Sequence, residues 1–300
     1  MDHLEPGFHS GFVTLVGRPN AGKSTLVNAI VGQKVAITAD VPQTTRHRFR
    51  AILDNPGFQL ILIDTPGIHK PLDALGDELN KSALKALEAV DAVAFLLDCS
   101  QPFGSGDAWV LAELEKVKTP KILVLTKTDL KDTATIERQA AAAAQAFTFQ
   151  EVLGLSALTG EGVQAFIDTA VSLLPIGPRW FPAGTTTDQD LEVLIAEFIR
   201  EKVLHLTSDE VPHAVGVQVT EINYDKKRDL TSIEAVVYVE RESQKGILIG
   251  KGGEQIKTIG SLARIDLERL LGNKVFLDLR VKLRKGWRRD ANQIRRFGYG

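Results

Sequence analysis

The 300 residues predict an α/β domain with a mainly parallel sheet, followed by a smaller α+β domain. Three observations carry this. Up to about residue 173, short apolar runs alternate with stretches of helical spacing. A stretch rich in proline and glycine follows at 174–184. Beyond it, apolar residues recur at every second position, in Val215, Val217 and Val219 and again in Ile233, Ala235, Val237 and Val239. The boundaries expected are 8–175 for the first domain, 176–188 for a linker, 189–286 for the second domain and 287–300 for a basic C-terminal tail.

Composition sets outer limits. With 44% hydrophobic and 25% charged residues, the chain has room for two cores. No apolar run approaches the ~20 residues that a bilayer requires. The first ten residues carry acids and a Pro-Gly pair instead of a basic stretch and an apolar segment, so a cytoplasmic location is expected. Cys99 is the only cysteine, which excludes an internal disulfide and a cysteine-rich zinc site; its place at the end of Phe95-Leu96-Leu97-Asp98 suggests a buried, inert thiol. The net charge of −2 is unevenly spread, since from Lys274 onward nine Lys and Arg face two Asp. That segment alternates with apolar residues and contains Trp287, Phe297 and Tyr299, so it reads equally as a polyanion-binding surface and as a solvated charged face.

In the first domain, an apolar run at 12–16 stops at Gly17, and helical spacing begins at Lys23 and stops at Gly32. Between them stand Gly17, Arg18, Pro19, Asn20, Ala21, Gly22, Lys23, Ser24 and Thr25. Strand, glycine-rich loop and helix together make a phosphate cradle, because backbone N–H groups and a positive helix end converge where glycines let the main chain approach. The pattern matches Walker A at full length, which assigns Lys23 to the β- and γ-phosphates and the Ser24 hydroxyl to Mg²⁺. Two further runs, at about 47–53 and 58–63, flank Asp54-Asn55-Pro56-Gly57 and predict an antiparallel hairpin that delivers Asp64, Thr65, Pro66 and Gly67. The Asp64 carboxylate reaches the Mg²⁺ shell through water, and the Gly67 N–H meets the γ-phosphate. Gln43-Thr44-Thr45-Arg46 lies in a polar stretch between the two motifs. A hydroxyl here completes the Mg²⁺ shell when the γ-phosphate is present; Thr45 is preferred to Thr44, the alternative being that both start the next strand. No general base is identified, and Thr45 and Gly67 are the candidate supports of the transition state.

Helical segments are expected around 76–90 and 107–117, with buried strands at 92–98 and 122–125, and the alanine-rich stretch at 133–147 is a helix. Ligands of such sheets bind at the carboxyl ends of the strands. There stand Thr126, Lys127, Thr128 and Asp129. A carboxylate at Asp129 accepts hydrogen bonds from N1–H and the 2-amino group of guanine while the Lys127 stem packs on the ring, and adenine lacks both donors. After the next strand, a backbone N–H of Ser156, Ala157 or Leu158 meets guanine O6.

These motifs, with Pro42-Gln43-Thr44-Thr45-Arg46-His47-Arg48, Asp64-Thr65-Pro66-Gly67-Ile68-His69-Lys70-Pro71 and the run Ser156 to Gly162, resemble the translation-factor-like class of GTPases and, within it, the Era-type GTPases of bacteria. The resemblance covers nearly the whole chain and implies GTP, GDP and Mg²⁺ as ligands. Two departures stand out. Thr126 occupies the place of an asparagine that in the family bonds the base and ties its loop to the phosphate loop. Ile68 stands where small GTPases carry a water-orienting glutamine, which implies slow intrinsic hydrolysis. In related GTPases an asparagine matched here by Asn20 helps hold K⁺, so the resemblance also implies a K⁺ site at Asn20.

The second domain begins with helical spacing at 190–204 and continues through the alternating strands, a helix at 254–271 and a last strand at 275–283. Ile249, Gly250, Lys251, Gly252 and Gly253 open that helix. A Gly-x-x-Gly loop sets N–H groups and Lys251 against phosphates of single-stranded RNA, and the order of elements resembles a type II KH domain. In Era-type proteins this domain recognises the 3′ end of small-subunit ribosomal RNA. The resemblance implies that target, the small ribosomal subunit as partner, and contacts from Arg280, Lys282, Arg284, Lys285, Arg288 and Arg289. A monomer is expected. Two other readings remain: an RNA-binding assembly factor with a structural nucleotide, and a GTPase peripheral to the inner face of the cell membrane, its basic segment 280–296 on anionic lipid.

Overall fold

The computed structural model describes residues 7–41, 44–68, 74–297 and 299, without the side chains of 295 and 296. Pro42, Gln43, His69, Lys70 and Pro71 of the quoted motifs therefore lie outside the described residues. The chain divides into two compact units, the first ending at Asp188 and the second running from Gln189 to Tyr299.

The first unit carries β1 (His9–Gly17), α1 (Lys23–Val31), β2 (Phe49–Asn55), β3 (Phe58–Asp64), α2 (Ala74–Lys85), β4 (Ala92–Asp98), α3 (Ser105–Leu114), β5 (Lys121–Thr126), α4 (Thr133–Ala146), β6 (Glu151–Gly154) and α5 (Val163–Ser172). The sheet order is β2-β3-β1-β4-β5-β6, with β2 antiparallel to β3 and every other pair parallel. Parallel neighbours need a crossover, and the crossover helices cover both faces of the sheet. One apolar layer joins Val13, Leu15, Leu60 and Leu96 to Leu26 and Val27 of α1 and Phe166 of α5. The opposite layer joins Val16, Phe95, Leu123 and Ile68 to Ala83, Val110, Leu114 and Ala143. Cys99 is buried there, its thiol pushed up to about 11 by burial and by Asp98, as an inert thiol should be.

The stretch 176–188, read from sequence as a linker, is strapped along the outer sheet edge. Gln59 is fully buried and its amide is fully engaged at this edge: Oε1 accepts from the N–H groups of Trp180 and Phe181 at 2.8 and 3.0 Å, and Nε2 donates to the Phe181 carbonyl and to Asp54 of β2. Arg179 pairs with Asp54 and lies over the Phe8 ring. Further on, Ala51 and Thr187 form an antiparallel bridge, the Ile52 N–H donates to Thr186, and the Arg50 N–H and guanidinium both reach the Asp188 carboxylate. Proline and glycine announced an irregular path but not its partners.

The second unit runs α6 (Leu191–Leu206), α7 (Val211–Ala214), β7 (Gly216–Asp225), β8 (Leu230–Val239), α8 (Glu242–Ile249), α9 (Glu254–Leu271), β9 (Lys274–Leu283) and α10 (Ala291–Arg296). In its sheet β7 is antiparallel and β9 parallel to β8. The segment after β9 is folded rather than a tail. Trp287 is fully buried and donates its indole N–H to the Ala214 carbonyl at 2.9 Å, and Phe297 and Tyr299 pack against it with ring centroids 4.8 and 5.9 Å away. These aromatics are core, so the polyanion reading loses them. Among the described residues, no helix is long and apolar enough to cross a membrane.

Candidate guanine-nucleotide site and RNA-facing loop

The first site forms where β1, β3, β4 and β5 end, and its centre is a buried pair of opposite charges. Lys23 opens α1, whose first turn has no acidic residue, and its Nζ donates to the carbonyls of Gly17 and Arg18 at 3.2 and 3.0 Å. Burial lowers its pKa to about 8 against the pull of Asp64. Asp64 ends β3 with no exposure, and burial raises its pKa to about 6 although Lys23, the Ser24 hydroxyl and the Thr65 N–H favour the charged form. A shift of more than two units on a buried group corresponds to about 3 kcal/mol. The loop therefore carries electrostatic strain that a bound anion and cation relieve.

Ser24 Oγ lies 2.8 Å from both Asp64 Oδ2 and Thr45 Oγ1. Three candidate oxygens thus meet, while the neighbouring Thr44 hydroxyl turns back to the Ala39 and Val41 carbonyls. Asp64 Oδ1 is buried and has no hydrogen-bond partner among the described residues. An orphaned carboxylate oxygen beside two hydroxyls fits a divalent cation, which Ser24, Thr45 and Asp64 would hold. Thr65 has another duty, since its hydroxyl donates to the Leu15 carbonyl. Pro66 is buried beside it, and Gly67 packs so closely on the phosphate loop that a Cβ there would meet the Pro19 nitrogen at 2.6 Å. The Ile68 N–H donates to the Gly17 carbonyl, and its side chain is buried in the apolar layer, where it orients no water.

The base side is built on two ties. Thr126, 2% exposed, donates its hydroxyl to the Ala21 carbonyl at 2.8 Å and lies 3.2 Å from that of Leu97. The link between base loop and phosphate loop is thus kept by a hydroxyl in place of an amide. Lys127 adopts a left-handed backbone and its Nζ pairs with Asp98 at 2.7 Å, which fixes the stem. Asp129 is exposed and has no partner among the described residues, so its carboxylate is an open acceptor. Ser156 is buried and spends its N–H on the Glu161 carbonyl, which leaves the N–H groups of Ala157 and Leu158 as the candidates to meet a base oxygen. Arg18 turns its guanidinium away to Asp107 of α3 at 3.1 Å. Asn20 has a left-handed backbone and, with Ala21, Asp40, Asp98 and Lys127, lines a cavity of about 700 Å³. Asp98 and Asp107 escaped the sequence reading; the available signal was an acidic residue closing the buried run at 92–97.

In the second unit, Gly250, with φ 71°, leaves α8 so tightly that a Cβ would meet Gln255 Cβ at 2.7 Å, and the turn at Lys251–Gly253 then opens α9. Ile249 ends α8, and Lys251 projects into solvent. The expected basic contacts fall into two groups. Arg280 pairs with Asp278 and Glu234, Arg284 lies over the Tyr238 and Phe297 rings, and Arg288 pairs with Glu240 at 2.9 Å. Lys251, Lys282, Lys285 and Arg289 are exposed and have no side-chain partner among the described residues.

Fold and site together define a P-loop nucleotide-binding domain followed by a KH-type domain. A family model described as a 50S ribosome-binding GTPase matches residues 12–127, and a KH domain model matches 210–288. The chain is 42% identical over 292 residues to GTPase Era of Alkaliphilus metalliredigens and 44% identical over the same length to that of Alkaliphilus oremlandii, covering 97% of this chain and 99% of each relative. Among solved structures, Era in complex with MgGDPNP and nucleotides 1506–1542 of 16S ribosomal RNA matches at TM-score 0.94 and 34% identity, covering 98% of this chain and 99% of that one. A variant of Aquifex aeolicus Era bound to GDP and AlF4⁻ matches at the same score and identity, covering 98% and 100%. The chain belongs to the Era family of GTPases.

Two predictions follow from this geometry. Thr126→Val keeps the shape but leaves the Ala21 carbonyl without its donor, so the Kd for fluorescent GDP rises about tenfold; an unchanged Kd means that the tie does not position the base loop. For Asp64, the folded chain holds the proton more tightly than the unfolded one, so the stability it contributes is full below about pH 3.8 and lost as pH rises through about 6. In nucleotide-free protein with chelator, the stability of wild type relative to Asp64→Asn falls by about 2 kcal/mol from pH 4 to 7 in urea titrations. A flat difference removes the strain argument.

Proposed function

We propose that this chain is a GTP-binding and GTP-hydrolysing switch that engages small-subunit ribosomal RNA near its 3′ end during assembly of the small ribosomal subunit. The observation that carries the reading is the coexistence of an open guanine acceptor, Asp129, tied through Thr126 to a strained phosphate loop, with a Gly-x-x-Gly turn in the same chain. The near-full-length likeness to GTPase Era, and to an Era structure holding MgGDPNP and 16S ribosomal RNA nucleotides, supports it.

In this reading residues 17–25 wrap the phosphates, Ser24, Thr45 and Asp64 hold Mg²⁺, and the ion offsets phosphate charge. Thr45 and Gly67 stand where transition-state charge develops, and Thr126, Lys127, Asp129 and the N–H of Ala157 or Leu158 take the guanine. Hydrolysis is slow because Ile68 presents no hydrogen-bonding group to water. Asn20 is the candidate K⁺ ligand. The domain boundaries at 175, 188 and 286 are part of the same proposal, with the strap at 176–188 belonging to the first domain as a structural element. RNA is met by the 249–253 turn and by Lys282, Lys285 and Arg289. Arg280, Arg284 and Arg288, already engaged, support the surface instead. The reading locates the protein in the cytoplasm, at the small subunit, as a monomer.

The switch reading is tested by the affinity of the full chain for a 3′-terminal rRNA strand in GDP and in a non-hydrolysable GTP analogue. A rise of at least about fivefold with the analogue is expected; equal affinities leave nucleotide and RNA binding as separate properties. The K⁺ assignment predicts faster GTP turnover in K⁺ than in Na⁺ buffer, and Asn20→Ala abolishes the difference.

A further inference from the structure

The outer face of the second unit's sheet carries a large apolar ring that the fold does not use. Phe276 on β9 is 60% exposed, while its neighbour Val275 is buried. Successive residues of a strand point to opposite faces, and Leu279 packs toward Gly260 of α9, so Lys274, Phe276 and Asp278 share the face turned away from that helix. Phe276 is aligned with Ser232 of β8, and Ser232 with Asn223 of β7, so small polar side chains surround the ring.

Cations gather at this end of the sheet. Lys274 is aligned with Leu230, the first residue of β8, and its N–H donates to the Asp229 carbonyl of the β7–β8 turn. That turn presents Lys226, Lys227 and Arg228, all exposed. The acids nearby are occupied: Asp225 faces Arg228 at 3.7 Å, Asp229 accepts from the Tyr224 hydroxyl at 3.0 Å, and Asp278 is held by Arg280 at 2.7 Å. Lys226, Lys227 and Lys274 have no side-chain partner among the described residues.

A single exposed ring among free ammonium groups gives too little apolar area for a protein interface, which needs about 800 Å² per partner. It suits one unpaired base, because every base has a face to stack and phosphates on either side to neutralise. We infer that Phe276, with Lys226, Lys227 and Lys274, forms a second RNA contact that stacks an unpaired nucleotide. β8 spans nine steps from Leu230 to Val239, about 30 Å, before the chain enters α8 and the glycine-rich turn. A strand of four nucleotides in that turn does not reach Phe276, so the new contact serves a longer or folded RNA. The inference rests on the reading of the second unit as RNA-binding.

Anisotropy titrations of the full chain test it, with two labelled RNAs: a 3′-terminal strand of about four nucleotides, the length that the glycine-rich turn holds, and the fragment equivalent to nucleotides 1506–1542. Phe276→Ala weakens the longer RNA about tenfold and leaves the short strand unchanged, whereas Phe276→Trp keeps the affinity. The double change Lys226→Ser and Lys227→Ser lowers the salt slope for the longer RNA by about two. Lys251→Glu weakens both RNAs. Equal binding of the longer RNA by wild type and Phe276→Ala overturns the inference, as does equal weakening of both RNAs. So does ultraviolet crosslinking of Phe276 to a small-subunit protein and not to RNA. If wild type binds neither RNA, the RNA-binding reading itself falls.

Discussion

Two opposite charges without water hold the first unit's site together. Lys23 and Asp64 are both buried, and each is pushed toward its neutral form by desolvation that their mutual attraction only partly offsets. A pair of well-packed apolar residues would be cheaper in the empty fold. The charges persist because their energy is recovered when phosphate and a divalent cation arrive, and this makes the unliganded loop a stressed element. The surrounding architecture supplies the rigidity that such stress requires: a parallel sheet sealed on both faces, and a helix whose first turn meets the loop without an acidic side chain.

From that centre, strain has two routes outward. One passes through Ser24 to Thr45, and Thr45 lies four residues before β2. The first residues of β2 are gripped by the strap at 186–188, which leads directly into α6. The threonine expected to sense the terminal phosphate is thus separated by only a few residues from the sheet edge that the strap grips. The other route is the contact of Gly67 on Pro19 with the Ile68 N–H on the Gly17 carbonyl. These two contacts leave no room for a side chain between this segment and the phosphate loop.

The parts of this architecture that sequence discloses are those governed by local rules. Periodicity placed β3, β4, β5, β9 and α9 within a residue and β2 within two, but it began β1 and β8 three residues late and caught only the first half of β7; the glycine-rich loops were readable because their backbone needs few residue types. The structure brings Lys23, Ser24, Thr45 and Asp64 into one cluster, as spacing along a βα sheet implies. What sequence withholds is long-range pairing. Nothing local links Lys127 to Asp98, Arg18 to Asp107 or Gln59 to the strap, since each pair forms only once distant segments meet. Thr126 shows the same limit from the other side. As a departure from a family pattern it left the tie between the loops open, and its hydroxyl reaches the Ala21 carbonyl, because a buried donor needs one well-placed acceptor and not a particular functional group.

The C-terminal arginines give the sharpest case. From sequence, the nine cations after residue 273 form one class. Folding divides them: a guanidinium that stacks on Tyr238 and Phe297 or pairs with Glu240 contributes to the unit's own stability. Using the same group on RNA would first break that contact. A lysine with no partner has nothing to give up, so phosphate binding by Lys251, Lys282 or Lys285 comes at the cost of solvent and side-chain freedom alone. Affinity for a polyanion is therefore set by the cations the fold leaves unused, and charge counting along the chain overstates it by including those that hold the fold together.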